Sequence, residues 1–189
     1  MSEDAELIDA TLSGDSDAFG GLVLKYQDRL FNTFVHVTGS SEDAQDVVQE
    51  AFVRAFVKLD TFQRASGFYT WLYRIAFNAS SNIRRRRRPT ESVERRVEAS
   101  GQEPVDSGEG PQAKLQRLEN QSFVQEAIAR LDREHRVVLV LREIDGCGYE
   151  EIAEILGLPV GTVRSRLHRA RIQLKRSLKE RLKIEECEQ

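Results

Sequence analysis

The chain has 189 residues, enough for one or two small domains, and its 40% hydrophobic content is sufficient to build real cores. Charged residues make up 31% and nearly cancel to a net charge of −3, but the signs are segregated along the chain, so the small total does not exclude nucleic-acid binding. Two cysteines without a CxxC pair, Cys147 and Cys187, and three scattered histidines argue against a disulfide framework and offer no metal-ligand cluster.

The opening MSEDAELIDA is acidic and lacks the apolar stretch of a signal peptide. No apolar run approaches the ~18 residues of a membrane span, so a soluble, cytoplasmic protein is expected. Strand signals are nearly missing and helical periodicity dominates, which predicts an all-α fold.

A short helix is predicted over Glu3–Leu12, with Leu7, Ile8 and Leu12 on one side. GDSDAF breaks it, and Asp15, Ser16 or Asp17 caps a second helix running to about Val37. That helix turns Phe19, Leu22, Val23, Tyr26, Leu30, Phe34 and Val37 inward. TGSS stops it, and Ser41 is the expected cap of a third helix reaching about Leu59. Glu42 and Asp43 lie in its first turn, where the helix dipole favours acids. Val48, Ala51, Phe52, Ala55 and Leu59 form its core stripe. Asp43, Asp46, Val47 and Glu50 share another face, at i, i+3, i+4, i+7. An acidic strip holding one apolar residue suits a basic partner and plain solvation equally well.

A fourth helix begins near Phe68 and ends in Arg84–Arg88, closed by Pro89. Leu72, Ile75, Ala76, Ala79 and Ile83 make its core side. Trp71, Arg74, Asn78, Ser81 and Asn82 line a second side, where an aromatic beside amides and a cation can stack unpaired bases. Trp71 alone fits a core as well. The five arginines Arg84, Arg85, Arg86, Arg87 and Arg88 exceed what capping a helix dipole needs, which favours phosphate contact.

Composition then breaks. Between Pro89 and Ala113 there are six acids against two arginines, with Pro, Gly and Ser throughout, which reads as a disordered linker over 89–111. About 23 residues reach roughly 75–80 Å when fully extended. A second domain starts near Gln112, with a helix to about Arg130 that should bury Val124, Ile128 and Leu131. The next helix, Arg133–Ile144, is apolar nearly all round and should be central. Cys147 is expected to be a small residue in the turn that follows.

Gly148–Arg176 reads as a helix-turn-helix. Ile152, Ala153, Ile155 and Leu156 recur at helical spacing, Gly157 supplies the turn, and Pro159 sits at a helix start, with Thr162 a candidate cap. Val163, Leu167 and Ala170 form the buried face of the second helix; Arg164, Ser165, His168 and Arg169 face the other way. From Val160 to Lys183 there are nine basic residues and one acid, Glu180. A basic helix in this setting enters a DNA major groove, where arginine can grip guanine with two hydrogen bonds.

Three stretches together, DAQDVVQEAFVRAFVKLDTF, FYTWLYRIAFNASSNIRRRRR and LDREHRVVLVLREIDGCGYEEIAEILGLPVGTVRSRLHRARIQL, resemble the bacterial RNA polymerase sigma factors of the extracytoplasmic-function (ECF) group. The resemblance covers about residues 19–88 and 124–178. It implies a region-two domain over 1–88, a linker over 89–111, a region-four domain over 112–182 and a tail over 183–189. It assigns binding of core RNA polymerase, through the coiled coil of the largest subunit, to Asp43, Asp46, Val47, Gln49 and Glu50. It assigns the melted minus-ten element to Thr61, Phe62, Gln63, Tyr69, Trp71, Arg74 and Asn78, with one base drawn from the stack. The minus-thirty-five element falls to Arg164, Ser165, His168 and Arg169, with Thr162 on phosphate. An anti-sigma protein is an implied partner. Asp132 stands where the family usually has proline, which touches a helix start and no contact.

No cofactor or metal is expected. A two-domain regulator with a sensing N-terminal half would share the helix-turn-helix without needing the acidic strip or the stacking face. An enzyme is disfavoured, since no nucleophile–base pair or Gly-rich phosphate loop is visible.

Overall fold

A computed structural model of the chain describes residues 3–86 and 122–187. Arg87, Arg88, the 89–111 linker and the predicted domain start at Gln112 lie outside the described residues. Those described form helices and turns, with no strand among them. The helices are α1 (Glu3–Leu12), α2 (Ser16–Thr38), α3 (Ser41–Val57), α4 (Phe68–Arg86), α5 (122–129), α6 (Arg133–Leu139), α7 (Tyr149–Leu156) and α8 (Val160–Cys187). A 3₁₀ turn, Leu59–Thr61, follows α3, and a π-helical stretch, Val140–Ile144, extends α6.

Local chemistry sets the boundaries. Asp15 caps α2, its carboxylate accepting from the backbone N–H groups of Asp17 and Ala18. Ser40, not Ser41, caps α3: its hydroxyl accepts from the Asp43 N–H at 3.2 Å. Ser40→Ala should therefore lower stability by about 1 kcal/mol, read as a shifted denaturant midpoint at unchanged slope. Gly157 ends α7 at φ 65°, the left-handed region that favours glycine. Thr162 is not the cap of α8. The helix has already begun at Val160, and the Pro159 carbonyl accepts from the N–H groups of Thr162 and Val163. Helical backbone continues through Cys187, into the 183–189 tail.

In the N-terminal half, α2 and α4 close on α3 because α3 offers small residues. Ala44, Ala51 and Ala55 are fully buried there, opposite Leu22, Leu30 and Phe34 of α2 and Leu72, Tyr73 and Ala76 of α4. Helix α1 lies against α2 at Gly21, where a Cβ would come within 3.0 Å of the Leu7 side chain. In the C-terminal half, α8 packs on α6 and α7, burying Val163, Leu167 and Ala170 against a core that includes Val138, Leu141 and Ile152. Three residues expected inside are exposed. Leu12 and Ile144 end their helical stretches, and Val124 lies in the first turn described for α5.

The two halves pack on each other and share one apolar cluster. Helix α7 rests on α4, and the π stretch rests on α2. Arg136 donates to the Val37 carbonyl, Arg133 to the Ser80 and Ser81 hydroxyls, and His36 pairs with Gln125.

Candidate nucleic-acid interface

Three surfaces carry the predicted residues. On α8, burial of Val163, Leu167 and Ala170 forces Arg164, Ser165, His168 and Arg169 outward, and all four are exposed. Neighbouring cations are engaged otherwise. Arg166 pairs with Glu134 at 2.6 Å and Arg171 with Glu143 at 2.6 Å, bracing α8 against α6 and the π stretch. Arg169 makes no ion pair among the described residues, and the Arg164 guanidinium lies 5.7 Å from the Tyr149 ring centre. The Ser165 hydroxyl donates to the Thr162 carbonyl, and Thr162 is half-buried in the first turn. The helix therefore presents Arg164 and Arg169 to solvent while Arg166 and Arg171 are tied to acids of α6 and the π stretch.

On α4, Arg74, Asn78 and Ser81 are exposed along one side. Trp71 is half-buried in a cluster with Phe62 and Phe68, with ring centres 5.1 and 5.7 Å away. Thr61 and Gln63 flank it, exposed. The loop and the start of α4 thus form one aromatic and polar edge. The backbone of Arg84, Arg85 and Arg86 continues α4 to its end.

Tyr69 lies apart from that edge while the halves are docked. Its hydroxyl donates to the Asp145 carboxylate at 2.8 Å and lies 3.2 Å from the Cys147 sulfur, and the Arg29 guanidinium stacks on its ring at 4.0 Å. In this arrangement the C-terminal half covers it.

On α3, Gln49 is exposed and Asp43, Asp46 and Glu50 are half-exposed. Glu50 pairs with Arg54 one turn on, at 2.6 Å. Val47 is corrected: at 1% exposure it belongs to the core, and its face is shared with Ala44, Ala51 and Ala55. What remains of the strip, Asp43, Asp46, Gln49 and Glu50, is polar throughout.

Sequence reasoning missed Asp145 and its surroundings. Asp145 follows the π stretch, whose wider turn has the Asp145 N–H donating to the Val140 carbonyl and the Cys147 N–H to that of Leu141. The carboxylate thereby reaches α2 and α4. An aspartate in DGCG reads locally as a turn former, so no signal in the sequence announced it.

Among the described residues no cluster could hold a metal ion, and no helix is long and apolar enough to cross a membrane.

Comparison with known proteins identifies two family regions in the chain. Residues 22–90 match the family profile described as Sigma-70 region 2, and residues 124–174 match Sigma-70, region 4. The RNA polymerase sigma-H factor of Pseudomonas aeruginosa is 39% identical over 183 residues, spanning 94% of this chain and 95% of that protein. The ECF RNA polymerase sigma-E factor of Escherichia coli is 41% identical over 182 residues, 90% and 93% of the two chains. Among solved structures, CnrH in complex with the cytosolic domain of CnrY superposes with a TM-score of 0.68 at 30% identity, over 95% of this chain and 99% of that one. The sigma factor RpoE in complex with the anti-sigma factor NepR from Bartonella quintana gives 0.65 at 26% identity, over 85% and 96%.

Proposed function

The chain belongs to the ECF group of RNA polymerase sigma factors, and from that premise we propose how its surfaces divide the work of promoter-specific initiation. Residues 1–88 act as the region-two domain and 112–182 as the region-four domain, with 89–111 joining them and 183–189 a tail. The polar face of α3, Asp43, Asp46, Gln49 and Glu50, docks core polymerase on the coiled coil of its largest subunit. The edge formed by Thr61, Phe62, Gln63, Trp71, Arg74 and Asn78, joined by Tyr69 once the C-terminal half moves off it, holds the melted minus-ten strand by stacking and polar contact. Arg84–Arg88 neutralise phosphate. Arg164, Ser165, His168 and Arg169 read the minus-thirty-five duplex in the major groove, with Thr162 on phosphate. Such a chain carries out no reaction of its own; it positions the polymerase and traps open DNA.

The observation that carries this reading is α8. Four polar residues of its N-terminal half face outward together while Val163, Leu167 and Ala170 lock the opposite side. An anti-sigma partner is proposed from the solved RpoE relative, which is bound to the anti-sigma factor NepR.

Run-off transcription with added core polymerase tests the function. Discrete transcript starts that appear only when the chain is present are expected; none on any genomic template would refute it. Within that assay Arg169→Ala should weaken binding to the upstream element by about 1–3 kcal/mol, roughly 5- to 150-fold, if the arginine grips a base with both nitrogens. An equal loss on all sequences would make it a phosphate contact instead.

A further inference from the structure

Asp145 is a carboxylate at 3% side-chain exposure, and most of what satisfies it lies in the other half of the chain. Arg29 Nε donates to Oδ1 at 2.9 Å, and Arg29 Nη2 donates to the Asp145 backbone carbonyl at 2.7 Å. The Thr33 hydroxyl and the Tyr69 hydroxyl both meet Oδ2 at 2.8 Å, and the Tyr73 hydroxyl approaches Oδ1 at 3.4 Å. Two residues of α2 and two of α4 thus converge as a socket for one anionic group. Burial, and the negative charge of Asp145 beside them, holds both phenols above their ordinary pKa, so they remain O–H donors.

A carboxylate buried without such partners would be very costly, so Asp145 is stable in this position only while the halves are docked. Undocked, water solvates it well. The desolvation cost of docking offsets much of the attraction, which leaves a contact that can be exchanged. The residue it covers matters. Tyr69 is one that the family resemblance directs to the melted minus-ten strand, and here Asp145 and Cys147 occupy it.

We infer that Asp145 is a self-made latch: seated in the Arg29–Thr33–Tyr69–Tyr73 socket, it holds the two halves together and withholds Tyr69 from single-stranded DNA until the socket empties. This rests on the proposed minus-ten role of α4. The occupant is a segment of the chain itself, so occlusion needs no partner protein. The contacts of Arg133, Arg136 and His36 across the same boundary act alongside it.

Cys147 reports the state of the latch. It is 2% exposed, its thiol is pushed above the usual range chiefly by burial, and it lies beside Tyr69. In a Cys187→Ser background it is the sole thiol, so maleimide labelling of the full chain reads its opening. Asp145→Asn and Arg29→Gln attack the latch from opposite halves, and the Arg29 side chain is 47% exposed, so its loss leaves the core intact. Each variant should raise the labelling rate by roughly tenfold or more. Each should also tighten binding of a single-stranded oligonucleotide carrying the minus-ten non-template strand of a promoter found by run-off. The two fold-changes should agree, because apparent affinity scales with the open fraction. Faster labelling in Asp145→Asn alone would show only a disturbed turn and overturn the latch. Faster labelling in both variants with unchanged oligonucleotide binding would overturn the gating. A failure of the function itself is read separately, as absent run-off products from the wild-type chain.

Discussion

Reversing two charges on α3, Asp46→Arg with Glu50→Arg, is expected to abolish transcription by this chain without unfolding it. The helix has two faces with different tolerances. Ala44, Val47, Ala51 and Ala55 hold it between α2 and α4, and none is touched by the change. Asp46 and Glu50 sit at i, i+4 on the side that solvent reaches. The internal cost is small. Glu50→Arg removes the ion pair with Arg54 and leaves like charges one turn apart, a few tenths of a kcal/mol. Against a basic partner surface the same change is severe, since juxtaposed like charges in an interface cost several kcal/mol. At about 2 kcal/mol for each reversal, association falls roughly a thousandfold. Pull-down with core polymerase and run-off should both be lost, with far-ultraviolet circular dichroism and melting unchanged. Full core binding by the double variant would remove the basis for assigning this face.

How much of this was legible in the sequence depended on the range of the interactions. The helix-turn-helix was readable because its determinants are local. Gly157 needs a left-handed turn, and Val163, Leu167 and Ala170 repeat at one helical phase, so the outward set Arg164, Ser165, His168 and Arg169 followed. The aromatic edge at Phe62 and Trp71 was partly legible for the same reason. On α3 and just beyond it the core stripe was read correctly at Ala51, Phe52, Ala55 and Leu59, but Ala44 and Val47 were missed and Val48 is only half-buried. Val48 is larger than Ala44, but the tightest packing at that end of the helix is made by Ala44 and Val47, because two helices press on that face at once. Size-weighted periodicity is blind to such close approach. Asp145 was wholly illegible. Its partners lie 72 to 116 positions away, and the π stretch that aims it has no sequence signature of its own. The covering of Tyr69 was illegible for the same reason: its position on α4 is local, but what covers it comes from the far half of the chain.

Leu167→Ala should be the most destabilising single change in the reading head. Leu167 is fully buried where α8 rests on α6 and α7, one residue before His168 and two before Arg169. Truncation removes its apolar burial and leaves a cavity that the two supporting helices cannot fully close, a loss of about 2–5 kcal/mol. Against a net stability of about 5–15 kcal/mol for a protein domain, that is a large fraction. The melting temperature should fall by roughly 4–20 °C. Ile172→Ala on the same helix is the control: its side chain is 54% exposed, and it should change stability by no more than about 0.5 kcal/mol. Leu167→Met keeps the volume and should recover most of the loss, at a residual cost under about 1.5 kcal/mol. Because α8 is held by Leu167 from beneath, upstream-element binding should weaken in Leu167→Ala even below its melting temperature. Core-polymerase binding through α3 should survive there, since that face draws nothing from α8. If Leu167→Ala melts with the wild type, the side chain does not fasten the recognition helix, and the outward display of Arg164 and Arg169 must be maintained by the Arg166–Glu134 and Arg171–Glu143 ties alone.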